Sequence, residues 1–323
     1  MRRRSLLGGI TLAATTGLAV QQANRYHFPR RRPQRSQVAI LRCDRYETVQ
    51  PVIEDGLRLL APDLRGKRVL LKPNLVEYAR GAAINTHPML IAAVIEALRC
   101  RSAASVVVAE GPGHIRDTEL LLQESGLQSQ LDAVGKASFV DLNFDPVARV
   151  PLATGITNLK ELWLPETLLS ADFVISMPKI KTHHWAGVTL SLKNLFGVVP
   201  GSVYGWPKNI LHWQGIGNSI VELAAAVPIH LVIADGIDAM EGNGPLHGPT
   251  RHLGCVVFAD DPVAADATCC RLMGIDPKSV AYLRAAAPLG NLDAGNIDQR
   301  GESIDSLRQI VDLMPRFLCL RGS

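Results

Sequence analysis

Cysteine is scarce in this 323-residue chain, and the few cysteines form no motif. Cys43, Cys100, Cys255, Cys269, Cys270 and Cys319 make no CxxC and no set of four with zinc-ribbon or ferredoxin spacing. That excludes a thiolate-held zinc or an iron–sulfur cluster built on a local motif. The vicinal pair Cys269-Cys270 lies in a helical pattern and reads as two small core residues. Aromatics are only 5% of the chain, so a core must rest on Val, Leu, Ile and Ala. No GxGxxG, Walker A, GxSxG or HExxH occurs, which removes the local signatures of dinucleotide, P-loop, serine-hydrolase and zincin chemistry.

Acid is also missing from the first 35 residues, which hold eight arginines. Removing those eight from the formal +4 leaves −4 for residues 36–323, so the body is mildly acidic and a poor partner for nucleic acid. The leader itself has a pattern. Arg2-Arg3-Arg4 precedes a mild apolar stretch, Leu6 to Val20, which is shorter than the about 20 residues of a membrane helix. A basic start and a short apolar region predict a twin-arginine-type signal peptide over 1–35 including its basic linker. The expected location is therefore exported, periplasmic or otherwise extracytoplasmic, with the twin-arginine export machinery as a partner. No stable membrane span is expected unless the signal stays uncleaved and anchors the protein.

From residue 37 onward short apolar runs alternate with helical patterns. The runs predict strands at Gln37–Leu41, Arg68–Leu71, Ser105–Ala109, Ser138–Leu142, Asp172–Ser176, His230–Ala234 and Gly254–Ala259. Their continuous rather than alternating apolar character suits strands covered on both faces. Helices are predicted at Val49–Leu60, from Pro88 to Arg99 behind a capping Thr86, and at Glu119–Gly126 and Ile216–Ala226. Two more are expected, Pro262–Met273 behind a capping Asp261 and Ile304–Leu313. The fold class is α/β, a mainly parallel sheet with helices on both faces and long loops at its carboxyl edge. Residues 36–323 form one such domain, with room for two lobes.

In open parallel sheets ligands bind beyond the carboxyl ends of the strands. The residues leaving the predicted strands include Lys72 and Asn74, Glu110, Lys179 and Lys181, and Asp235. Lys193, Asn194 and the histidines His183, His184 and His212 follow in the long connection 177–215. Lysines supply point charges for carboxylate or phosphate, and imidazoles carry protons near neutral pH. The glycine-flanked aromatic segment 201–213 is expected either to close over the pocket as a lid or to be fixed packing.

The runs VLLKPNLV (69–76), INTHP (84–88), VVVAEGPG (106–113), SMPKIKTHHWAGVTLSLKNLFGVVPG (176–201), ADGIDAMEGNGPLHGP (234–249) and DDPVAADATCCRLMGIDP (260–277) resemble the DUF362 family. The resemblance runs in order over roughly residues 37–290. It adds Thr86, Thr182, Asn243, Glu241 and Asp266 to the family-pattern positions, and for the buried Asp266 a pocket lysine is the expected partner. Relatives with a ferredoxin-type cysteine module are iron–sulfur proteins. This chain has no such module, so no cluster is implied.

The expected function is an exported enzyme of undefined reaction on a small anionic substrate, a carboxylate or phosphate. Proton or group transfer is favoured over hydride transfer. The catalytic candidates are His183, His212, Glu110 and Asp235. The ligand-binding candidates are Lys72, Asn74, Thr86, Lys179, Lys181, Thr182, Lys193, Asn194 and Asn243. A divalent metal is compatible with Asp235, Glu241 and Asp266, with His247 or His212 nearby. The alternative is a non-catalytic binding or maturation factor for an anion, a metal or a redox cofactor.

Overall fold

Twelve strands are present in a computed structural model that describes residues 33–113, 117–135, 137–152 and 154–322. The signal-peptide expectation lies outside the described residues except for its last three. The strands are β1 (Ser36–Arg42), β2 (Arg68–Pro73), β3 (Ser105–Glu110), β4 (Ser138–Asp141), β5 (Val147–Pro151) and β6 (Glu161–Pro165). They continue with β7 (Phe173–Met177), β8 (Lys179–His183), β9 (Gly187–Thr189), β10 (Leu231–Met240), β11 (Thr250–Ala259) and β12 (Ile297–Gly301). Ten of them form one sheet in the order β12-β1-β11-β10-β7-β2-β3-β4, with β8 added to β10 and β9 to β8. The pairs from β10 through β7, β2 and β3 to β4 are parallel, while β11 runs antiparallel to both β1 and β10. The sheet is therefore mainly parallel, and β5 and β6 make a separate two-stranded ribbon.

Alternate residues of the central strands face two cores. Leu70, Ala109, Val174 and Val232 pack with the helices Ile216–Ala226 and Pro262–Leu272. Val69, Leu71, Val108, Ile175 and Ile233 pack with Val49–Leu60 and Pro88–Cys100. Both faces are covered, which is why these strands lack a polar alternation.

Local chemistry sets the helix ends. Asp261 accepts the Val263 amide at 2.8 Å, with Pro262 opening the first turn. The helix from Pro88 is capped by His87, whose Nδ1 accepts the Met89 amide at 3.2 Å, and not by Thr86. Thr86 instead donates to Met177 O at 2.6 Å and accepts from the Asn74 amide at 2.9 Å, pinning two strand ends together.

Two expectations change. The helix from Ile304 stops at Leu307, because Gln309 N and Val311 N donate to the carbonyls of Leu272 and Met273 and draw the chain along the end of another helix. The strand from residue 231 runs on to Met240, and the long connection 177–215 holds β8, β9 and several short helices. All six cysteines are free thiols.

Candidate functional site

The chain leaves β2 outward through β3 and β4, then returns to the other side of β2 as β7 and β10. The β2–β7 boundary is therefore the point where strand order reverses, and ligands of open α/β sheets collect in the crevice beyond it. Here β2 ends in Lys72-Pro73-Asn74 and β3 ends in Glu110-Gly111. Beyond Pro178, β7 continues as β8, which pairs with the far part of β10 and folds back as β9.

At the floor of that crevice Lys72 and Glu110 form a fully buried ion pair, Nζ to Oε2 2.5 Å. Lys72 Nζ also donates to Pro73 O at 2.8 Å and Asn194 Oδ1 at 3.1 Å. Glu110 accepts the amides of Leu75 (3.2 Å) and Gly111 (2.9 Å), so both its oxygens are engaged. Burial pushes the lysine down and the carboxyl up, and each group offsets the other's shift. Asn194 Nδ2 ties this pair to Lys72 O and Ser176 Oγ.

Above the pair opens a cavity of about 260 Å³. That is just under the about 300 Å³ at which ligand sites usually begin, so it has room for a small molecule only. Lysines 181, 193 and 208 line it, with His183, His184 and His212, Asn74, Thr189 and the rings of Trp185 and Phe196. Glu110 is the only carboxylate among the described residues that line it.

The three lysines differ in what holds them. Lys181 Nζ donates to Ile84 O at 2.7 Å and is fully buried, and burial followed by the nearby Lys193 charge pulls it well below the ordinary lysine range. Lys208 Nζ donates to Asn143 Oδ1 at 2.7 Å and to Val199 O, and burial brings it to about 7. Lys193 Nζ stands 4.8 Å over the Phe196 ring and has no hydrogen-bond or ion-pair partner among the described residues. Burial, then the Lys72 charge, holds it at about 8.

Backbone contacts assign the histidine tautomers. His183 Nδ1 receives the amides of Trp185 (3.0 Å) and Ala186 (3.1 Å), so it carries a lone pair and Nε2 carries the hydrogen. Burial, then the Lys193 charge, holds this ring neutral far below the usual imidazole range. His184 Nδ1 lies 2.9 Å from Gly244 O, and a carbonyl only accepts, so here Nδ1 carries the hydrogen and the neutral ring has its lone pair on Nε2. His212 Nδ1 is likewise 3.2 Å from Lys208 O. His183 and His184 stack with centroids 4.8 Å apart, so a hydrogen-donating imidazole lies against a proton-accepting one.

Two buried side-chain oxygens of residues lining the cavity, Asn74 Oδ1 and Thr189 Oγ1, have no hydrogen-bond partner among the described residues. Buried polar groups are nearly always satisfied, so these two oxygens are exceptions in the cavity wall.

Of the expected site residues, Asn74, Glu110, Lys181, His183, Lys193, Asn194 and His212 converge on the cavity, with Lys72 directly beneath. Lys179 and Asp235 do not line it. They pair with each other at 2.7 Å, and both bond the Tyr46 hydroxyl, which stacks on His87 with centroids 3.6 Å apart. Thr182 ties β8 to Gly242 O, and Asn243 is exposed.

The three candidate metal carboxylates are separated in role. Asp235 holds Lys179, Glu241 holds Arg251 and the Asp312 amide, and Asp266 accepts the Ser191 amide and hydroxyl and the Leu192 amide. No group of three metal-binding side chains occurs among the described residues. The partner of Asp266 is thus the start of the short helix Ser191–Asn194 and not a lysine. Lys208 and Thr189 were not singled out by sequence, since neither lies at a predicted strand end.

The solved lactate racemase apoprotein from Thermoanaerobacterium thermosaccharolyticum is 12% identical, with a TM-score of 0.49 over 76% of this chain and 58% of that one. A structural-genomics protein from Thermotoga maritima is 13% identical, with a TM-score of 0.43 over 72% of this chain and 60% of its own. The chain therefore spans less than two thirds of either solved structure. A thylakoid-associated protein of Synechocystis sp. is 32% identical over 232 residues, 70% of this chain and 68% of that protein. Residues 69–271 match the family described as Domain of unknown function (DUF362), a span that includes every residue on the cavity wall, and the chain belongs to that family.

Proposed function

We propose that the cavity binds a small carboxylate or phosphate anion and that its histidines move a proton on the bound molecule. One observation carries this reading. The Lys193 ammonium faces a half-open cavity with no counter-charge of its own among the described residues, and the only carboxylate among those lining it is already held by Lys72 and two amides. An unpaired cation partly withdrawn from water is costly, and an anion would offset the cost. The His183 Nε2–H supplies a neutral donor to the anion or to a developing oxyanion. His184 Nε2 supplies a lone pair for the proton, with His212 across the aromatic wall formed by Trp185 and Phe196.

Calorimetric titration with acetate, phosphate and small hydroxy and oxo acids tests the site. Lys193→Met is expected to weaken the best of these by about 30-fold or more, the scale for removing one partner of a buried charge pair. Failure of every anion to bind, or equal affinity in Lys193→Met, ends the proposal. Proton transfer is read separately as deuterium uptake into the bound acid in heavy water, lost in His184→Gln with binding retained. Binding with no uptake for any acid would favour the non-catalytic reading.

We propose also that residues 1–35 direct export through the twin-arginine route, from the arginine cluster and the short apolar stretch that follows. Fractionation of the full chain against an Arg2→Lys/Arg3→Lys/Arg4→Lys variant is the check: the wild type should leave the cytoplasm and the variant should not. Among the described residues no helix is long and apolar enough to cross a membrane.

A further inference from the structure

We infer that Lys193 is an amine nucleophile that forms an imine with its ligand, and that the substrate class is a small anion carrying an aldehyde or ketone, such as a 2-oxo acid. The inference rests on the anion site proposed above and adds the electrophile.

The four lysines at the site differ in their freedom to react. Lys72 is locked to Glu110, Lys181 to Ile84 O, and Lys208 to Asn143 and Val199 O. Each would have to abandon buried hydrogen bonds to attack a carbon. Lys193 has none to abandon among the described residues and rests only against the face of Phe196. Its position at the end of a short helix braced by Asp266 fixes the stem while leaving Nζ in the cavity. Burial also leaves this amine with a value of about 8, so roughly a tenth is unprotonated at pH 7.

The walls supply what imine formation needs. The Lys193 nitrogen lone pair attacks the carbonyl carbon, a C–N bond forms, and the carbonyl oxygen takes a proton to give a carbinolamine. That oxygen then leaves as water when the nitrogen gives up its remaining proton and the C=N bond closes. His183 donates a hydrogen bond from Nε2 to the oxygen, and the acceptor nitrogen of the adjacent His184 takes each proton leaving nitrogen and passes it to that oxygen. The reaction is a condensation with loss of one water and needs no oxidant or reductant. The anionic group of the ligand is left to Lys208, whose charged form a bound anion favours.

Reductive trapping decides it. The full-length protein is incubated with glyoxylate or pyruvate and sodium cyanoborohydride, then mapped by peptide mass spectrometry. The expected product is one adduct on Lys193, heavier by the mass of the acid less one oxygen, suppressed by excess acetate. Lys193→Arg keeps the charge but cannot form the imine, so it should bind acetate and give no adduct. No adduct on the wild type, or one that persists elsewhere in the cavity in Lys193→Arg, overturns the inference. If acetate and phosphate still bind in that case, the anion site stands and only the imine falls. If no anion binds at all, both fall.

Discussion

Gly197 lets the chain pass directly over the Lys72–Glu110 pair. A Cβ at that position would overlap Glu110 Oε1 and press on Lys72 Nζ, two groups with no room to move because each is hydrogen-bonded on other sides. Gly197→Ala should therefore separate the pair and cost about 3–5 kcal/mol, the penalty for breaking a buried ion pair, read as a lower midpoint in urea unfolding. A loss below about 1 kcal/mol would mean the pair is not held as described. The second residue-scale prediction concerns pH. Lys193 sits at about 8, below the ordinary lysine value of 10.5. Between those values the unfolded chain binds the proton and the folded chain does not, so this residue makes stability rise with pH across that window. Anion affinity goes the other way. Lys208, at about 7, and Lys193, at about 8, both line the cavity while Glu110 is paired, so affinity should begin to fall above pH about 7 and fall more steeply above about 8. Affinity that is flat from pH 7 to 10 contradicts a role for the Lys193 charge.

At the scale of elements, the short helix Ser191–Asn194 places both Lys193 and Asn194, yet it is too short to be stable by propensity. It forms because Asp266, on the neighbouring helix Pro262–Leu272, accepts the first two amides and the Ser191 hydroxyl. Burial raises this carboxyl to about 7. Asp266→Ala would strand those three donors in the core and should cost about 3 kcal/mol or more. It should also weaken anion binding, since Lys193 loses its mount although Asp266 touches no ligand. Unfolding and titration of the same sample check both; lost stability with unchanged affinity would show that Lys193 is positioned by something else. The segment 201–213 is also anchored, by Lys208 to Asn143 and by Ser202 to Asn143 O, while Trp213 at 76% exposure packs on little.

Across the whole molecule, the sheet separates two buried lysine networks that lie close in sequence. Lys179 and Lys181 are two residues apart on β8, but the register of β8 on β10 shifts between Asp235 and Met240. Lys179 therefore meets Asp235 and Tyr46, while Lys181 reaches the cavity. Lys179→Met should destabilise the protein by about 3–5 kcal/mol by leaving Asp235 unpaired. Measured well below its melting temperature, its anion affinity should match that of the wild type. A matching loss of affinity would join the two networks into one site.

The amino-acid sequence alone determined the elements whose signal is local. Continuous apolar runs marked β1, β2, β3, β7 and β11, because strands covered on both faces need no polar side. Caps and apolar stripes marked the helices Val49–Leu60, Ile216–Ala226 and Pro262–Leu272. The polar edge strand β12 and the ribbon β5–β6 were not legible, since their pairing depends on a distant partner and not on a buried face. Lysines and histidines after the strands announced a charged pocket in the same local way. Tertiary structure alone decided which of them share it. Lys208 arrives through a long connection, Lys179 is removed by a register shift, and Asp266 acts through a helix it caps. The physical reason is that a cavity is defined by side chains from separate elements, and their facing depends on register and crossing, which no local run of residues encodes.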